Sequence, residues 1–242
     1  MSLSSEPAFS FLKSNFICGV RDITGETYSG VSGFHDPNGN AVVTSNGAGP
    51  HNVQLFALSA DGVVLTCLPG YWGPDDLVRE LKLAQRLNRV WLDGSLSRGQ
   101  KEELFRQMQL AHIRQHPPAM VARSHMQGFD AAYEAKYRLN DTDTIRDPSL
   151  IADPNSGMQP PAAFKTIDEL MHERMSRQPF VPFYSFNIAS FVDYGRPRYD
   201  KEEDSHLPTG HLARMPDPHK AGRRPPVARH IDPATYVHYY GQ

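Results

Sequence analysis

Cysteine is scarce in this chain: Cys18 and Cys67 are the only two among 242 residues. Two cysteines cannot build a disulfide framework, and without a Cys-x-x-Cys pair there is no self-contained dithiol centre. Both are read as small apolar residues in strands, with single-cysteine redox chemistry as the lesser alternative. Long apolar runs are missing as well, which excludes a transmembrane helix. The opening Met1 to Pro7 has neither a basic nor an apolar stretch, so no secretory signal is expected in the chain as given. Positive charge is not in excess: 25 Lys and Arg stand against 27 Asp and Glu, a net charge of -2. That excludes a general attraction to nucleic acid, and Arg223, Arg224 and Arg229 form too short a basic spot to reverse it. Gly-x-Gly-x-x-Gly, Walker, Gly-x-Ser-x-Gly and His-Glu-x-x-His motifs are all absent, so the motifs support neither a cofactor nor a catalytic centre.

Proline, by contrast, is plentiful, with 20 residues. Few lie between Phe9 and Gln115, and the stretch from Pro117 to Pro233 is dense with them. The distribution predicts a compact front and a loosely built back. Phe9 to Leu12 reads as the end of a helix. Apolar Phe16, Cys18 and Val20 alternate within Asn15 to Ile23, which predicts a strand. Gly25 to Gly49, with six glycines, reads as a long loop, with a short strand expected at Ala41 to Thr44.

The clearest unit follows. Asn52 to Leu58 is an apolar strand run, Asp61-Gly62 supplies a hairpin turn, and Val63 to Leu68 returns. Pro74 then opens a helix, with Asp75 and Asp76 in its first turn, where negative charge suits the helix dipole. Leu77, Leu81, Ala84 and Leu87 give it one apolar face. A second helix is predicted over Ser97 to His116, capped by Ser97, with a buried stripe of Leu104, Met108 and Ile113, and ended by Pro117-Pro118. A shorter helix is expected over Ser124 to Leu139. Thr166 and Glu169 are spaced as a capping box for a helix to Met175. Phe180 to Tyr199 is aromatic-rich and is expected to wrap back over the front, because that much exposed apolar surface invites association. The polar tail from Asp200 to Gln242 is expected to be poorly ordered.

Strand, Asp-Gly turn, strand, Gly70-Tyr71 connector and the Pro74 helix, with Pro50 just before the first strand, resemble the closing half of a thioredoxin-fold domain. Phe11 to Ile17 resembles the segment where that family's redox helix gives way to its second strand. The likeness covers about residues 9–90, and the family's Cys-x-x-Cys and first strand have no counterpart here. The resemblance implies an α/β, thioredoxin-like partial sheet with a mostly helical and irregular C-terminal extension. Its parts are a domain over 1–95, a helical extension over 96–140, a linker over 141–165, a helix and aromatic segment over 166–199, and a tail over 200–242.

The same resemblance makes Pro50 the candidate cis-proline. Gly49, Pro50 and His51 would then be the substrate-binding segment, where backbone pairs with an extended protein or peptide partner. Tyr71 and Trp72 are expected to pack rather than to form an exposed patch. The function expected is a protein- or peptide-interaction role without dithiol chemistry. The alternative is a thiol–disulfide oxidoreductase whose Cys-x-x-Cys lies upstream of Met1. The compartment is cytoplasmic by default, and extracytoplasmic in the second case.

Histidine is abundant, with eleven residues. His112 and His116 share one face of the second helix, and a zinc site there needs at least one more ligand. The sequence offers none nearby, so the pair is assigned to the helix surface and no metal site is expected. His206, His211 and His219 lie in the polar tail without a regular spacing.

Overall fold

The computed structural model describes residues 2–23, 26, 28–29 and 45–195. The expected strand at Ala41 to Thr44 and the tail with His206, His211 and His219 lie outside those residues. The architecture is mixed α/β, with about half of the described residues helical and one two-stranded antiparallel sheet among them. No described helix is long and apolar enough to cross a membrane.

The first helix, α1, covers Ala8–Asn15 and buries Ala8. The expected strand at Asn15 to Ile23 does not form. That segment has no strand assignment, Ile17 and Val20 are almost wholly exposed, and Cys18 faces solvent rather than a core. Alternation alone does not make a strand: a ladder partner is needed, and the described sheet offers this segment none.

Strand β1 is Gln54–Leu58 and β2 is Val64–Pro69, paired from Gln54 with Pro69 to Leu58 with Val64. The connection turns at Gly62, whose φ of 80° is cheap only for glycine. All of β2 is buried, Cys67 included. Helix α2, Pro74–Leu92, covers the hairpin with Leu77, Leu81, Leu83, Ala84 and Leu87. Asp76 does more than complement its dipole: it is buried and accepts two hydrogen bonds from Arg123 and one from Asn46. Trp72 is buried, with Nε1 donating to the Pro69 carbonyl, as a packing residue would be.

Helix α3, Arg98–Ile113, starts from a complete capping box between Ser97 and Gln100. Its buried face is not the expected one. Phe105, Gln109 and His112 point inward, whereas Leu104, Met108 and Ile113 are only partly covered. Reading apolar side chains alone misplaced the helix by about one residue, or 100°. Two polar residues, Gln109 and His112, are buried because they are hydrogen-bonded inside.

Pro117-Pro118 ends α3 and also begins α4, Pro118–Arg123, before α5, Gly128–Arg138. The single helix expected from Ser124 is therefore shorter and starts four residues later. The segment over 141–165 is not a free tether. Thr142 and Thr144 donate to Glu134, Ile145 bridges to Phe164, and Ile151, Ala163 and Phe164 pack on Ala131 and Ala135.

Helix α6, Ile167–Ser176, is preceded by Thr166, but the capping box does not form: Thr166 makes no side-chain cap bond, and Glu169 pairs with Arg146. A short α7, Ile188–Phe191, follows. Phe180, Phe186, Phe191 and Tyr194 all enter the main core, with Phe180 edge-on to Phe105 at 4.7 Å. The aromatic segment thus closes over the front of the molecule, leaving Tyr184 exposed.

Candidate metal centre

Helices α2, α3 and α6 meet around four side chains. Glu80 comes from the middle of α2, His112 from the last turn of α3, His116 from the turn just after it, and His172 from α6. The spacing explains the convergence: His112 and His116 lie one turn apart on one face, and Asp168 and His172 do the same on α6. The side chains of Glu80, His116 and His172 are at most 1% exposed, and that of His112 is 8% exposed.

All three imidazoles turn Nε2 toward the Glu80 carboxylate. Glu80 Oε1 lies 3.4 Å from His112 Nε2 and 3.1 Å from His116 Nε2, while Oε2 lies 3.2 Å from His172 Nε2. One ligand atom from each of the four residues falls within 4.8 Å of all the others. Zinc bonds of about 2.0–2.1 Å in a tetrahedron place neighbouring ligand atoms about 3.3–3.4 Å apart. Glu80 Oε1 stands at about that edge from His112 and His116, and Oε2 from His172, while all four ligand atoms lie within 4.8 Å of one another.

The other ring nitrogens are held from behind. His172 Nδ1 sits 2.5 Å from Gln109 Oε1, and the Gln109 amide donates to the Leu65 carbonyl, so the glutamine oxygen accepts and His172 carries its proton on Nδ1. Facing Glu80 Oε2, His172 Nε2 offers a bare lone pair when the ring is neutral and donates a proton when the ring is charged. Glu80 Oε2, His172 Nε2, His112 Nε2 and His116 Nδ1 all lack a well-formed hydrogen bond, although a carboxylate or imidazole lies within 3.4 Å of each. Facing buried acceptors are costly unless a proton or a cation lies between them.

His116 Nδ1 lies 2.7 Å from Asp168 Oδ2, the carboxylate–histidine pairing that orients metal-ligating imidazoles. His112 differs: Arg86 reaches its Nδ1 at 3.3 Å, and because arginine only donates, that Nδ1 accepts. Ligation through His112 Nε2 would require the ring proton on Nδ1, where Arg86 now donates.

Burial disfavours the charged form of His116, but hydrogen bonds with Asp168 and Glu80 outweigh it and raise its pKa to about 9. Burial pushes His172 down, with Glu80 pulling the other way. Burial also opposes ionisation of Glu80, yet charge interaction with His172 and contacts with all three imidazoles hold its carboxyl well below the usual range. At neutral pH the centre therefore holds an ionised Glu80 beside a His116 that keeps its proton, which a bound metal would have to displace.

The residues expected from sequence fall elsewhere. Pro50 is buried, but its peptide bond is trans; the described cis bond is Glu6–Pro7. Gly49, with φ of 71°, and Pro50 form a turn in which the Pro50 carbonyl accepts from Gln54. His51 is buried, with Nδ1 2.9 Å from the Tyr28 carbonyl. None of these three joins the histidine cluster. Cys67 is sealed in β2, where burial raises its thiol well above the usual range. The two cysteines are not paired.

His112 and His116 are not on a helix surface: both are buried, and Glu80 and His172, which converge with them, lie on other helices. The signal that could have found them is the shared periodicity of Gln109, His112 and His116, together with that of Asp168 and His172. Comparison with protein-family models, curated proteins and solved structures gives no match.

Proposed function

We propose that this protein binds one divalent transition-metal ion of the zinc type between Glu80, His112, His116 and His172. The observation that carries the reading is the buried contact of 3.2 Å between His172 Nε2 and Glu80 Oε2, neither of which makes a well-formed hydrogen bond. Three imidazole nitrogens and one carboxylate oxygen, with no thiolate, suit zinc or cobalt(II) rather than copper(I), and are too nitrogen-rich for calcium or magnesium. The test is to strip the full chain with a chelator and titrate it with zinc calorimetrically. One tight site in the wild type, absent from a His116→Ala/His172→Ala variant, supports the reading. Equal uptake by both proteins removes it.

A second reading is favoured by the order β1, Asp61-Gly62 turn, β2, α2, which is the order that the thioredoxin-like resemblance implies. On that reading the turn at Gly49, Pro50 and His51 engages an extended protein or peptide partner. It is supported by the hairpin and its covering helix. Photo-crosslinking from position 49 tests it: peptides captured there, and not from a control position on α5, support it, and identical capture from both positions discards it.

A further inference from the structure

The four ligands do not belong to one local motif. They join three helices, and α6 is the one that ties the two halves of the chain together. Ile167 donates its backbone N–H to the Ser124 carbonyl and lies against Gly47, where an added Cβ would stand 2.1 Å from Ile167 Cγ2. Leu170, Met171 and Met175 enter the main core. Arg174 pairs with Asp143 and donates to the carbonyls of Ser190, Phe191 and Asp193. Covalent cross-links are lacking, since both cysteines are free, and the sheet has two strands. What secures α6 to α2 and α3 is therefore side-chain packing and the buried polar knot itself.

An ion in that knot has four protein donors around it and no open face. Catalytic zinc keeps a position for water or substrate; structural zinc is closed and four-coordinate. Here the fourth position is filled by Glu80, whose side chain is 0% exposed, and Asp168 and Gln109 occupy the positions behind His116 and His172.

Resting on the metal-binding reading above, we infer that the ion is a closed, four-coordinate structural clamp that fastens α6, and through Arg174 the chain behind it, onto the α2–α3 pair. Binding energy at such a site is folding energy for the elements it joins. With zinc at about a thousand times its dissociation constant, the melting temperature rises by roughly 10 °C.

The experiment uses the full chain, stripped and then reloaded. Cobalt(II) reports coordination: the clamp gives the intense visible bands of a four-coordinate ion. Hydrogen–deuterium exchange reports the coupling: zinc slows exchange of the α6 amides by about tenfold or more. Glu80→Gln keeps the shape of the side chain, and in it zinc leaves α6 exchange unchanged. Faint six-coordinate cobalt bands, unaltered α6 exchange on zinc uptake, or zinc protection of α6 that persists in Glu80→Gln each overturn the clamp while leaving metal binding in place. No uptake of either ion by the wild type overturns the metal reading itself, and the clamp with it.

Discussion

His172 Nε2 and Glu80 Oε2 face each other at 3.2 Å in the buried centre of the molecule, while Gln109 Oε1 occupies the opposite nitrogen of the same imidazole. In a low-dielectric interior that contact asks for a cation. Glu80→Gln supplies an amide N–H in its place and removes the negative charge. Zinc affinity is expected to fall by at least about 100-fold, while the metal-free protein changes in stability by less than about 2 kcal/mol. Competition with a chromophoric chelator and urea unfolding of the stripped protein measure the two effects separately.

Asp168 stands behind the cluster and holds His116 at Nδ1. Asp168→Asn is expected to weaken zinc binding by about 10–100-fold with the stoichiometry unchanged. A merely structural aspartate would alter stability and leave the affinity of the folded fraction as it is.

Arg86 works against the site, because its guanidinium donates to the His112 nitrogen that must carry the proton when Nε2 binds a metal. Arg86→Ala is therefore expected to tighten zinc binding by about threefold to tenfold, the worth of roughly one hydrogen bond. Calorimetric titration decides, and weaker binding would show that Arg86 supports the site.

The local parts of this structure were legible in the sequence. Asp61-Gly62 marked the hairpin, Pro74 and the Leu77–Leu87 stripe marked α2, and Ser97 marked the start of α3, because each signal acts within a few residues. The site was half legible: His112 and His116 announced a shared face, but the ligands that make that face an interior one come from α2 and α6, which no local pattern links to α3. The same non-local packing turned α3 so that Gln109, rather than Met108, points inward. The strand expected at Asn15 to Ile23 failed for the complementary reason, an alternating pattern with no partner strand.

Acid stability offers an independent check on how α6 is held from behind. Burial alone would raise the Asp143 carboxyl, but Arg174 and Arg177 outweigh it and lower its pKa from 3.8 to about 2. A carboxyl lowered in the folded state adds stability above its unfolded pKa and loses it as pH falls through the folded value. The contribution is complete above about pH 4 and gone below about pH 2. Asp143→Asn is expected to cost about 2 kcal/mol at neutral pH and to flatten stability across that window. An unchanged acid profile in the variant would show that the ion pair is not coupled to folding.

Metal content shows whether Glu80 and the three histidines hold an ion. The full chain, purified and dialysed with zinc at neutral pH, then freed of loose ion, is expected to retain about one zinc per chain by elemental mass spectrometry, and His116→Ala/His172→Ala to retain almost none. Zinc-free wild-type protein, or a double variant that keeps the same zinc, would contradict an ion held there.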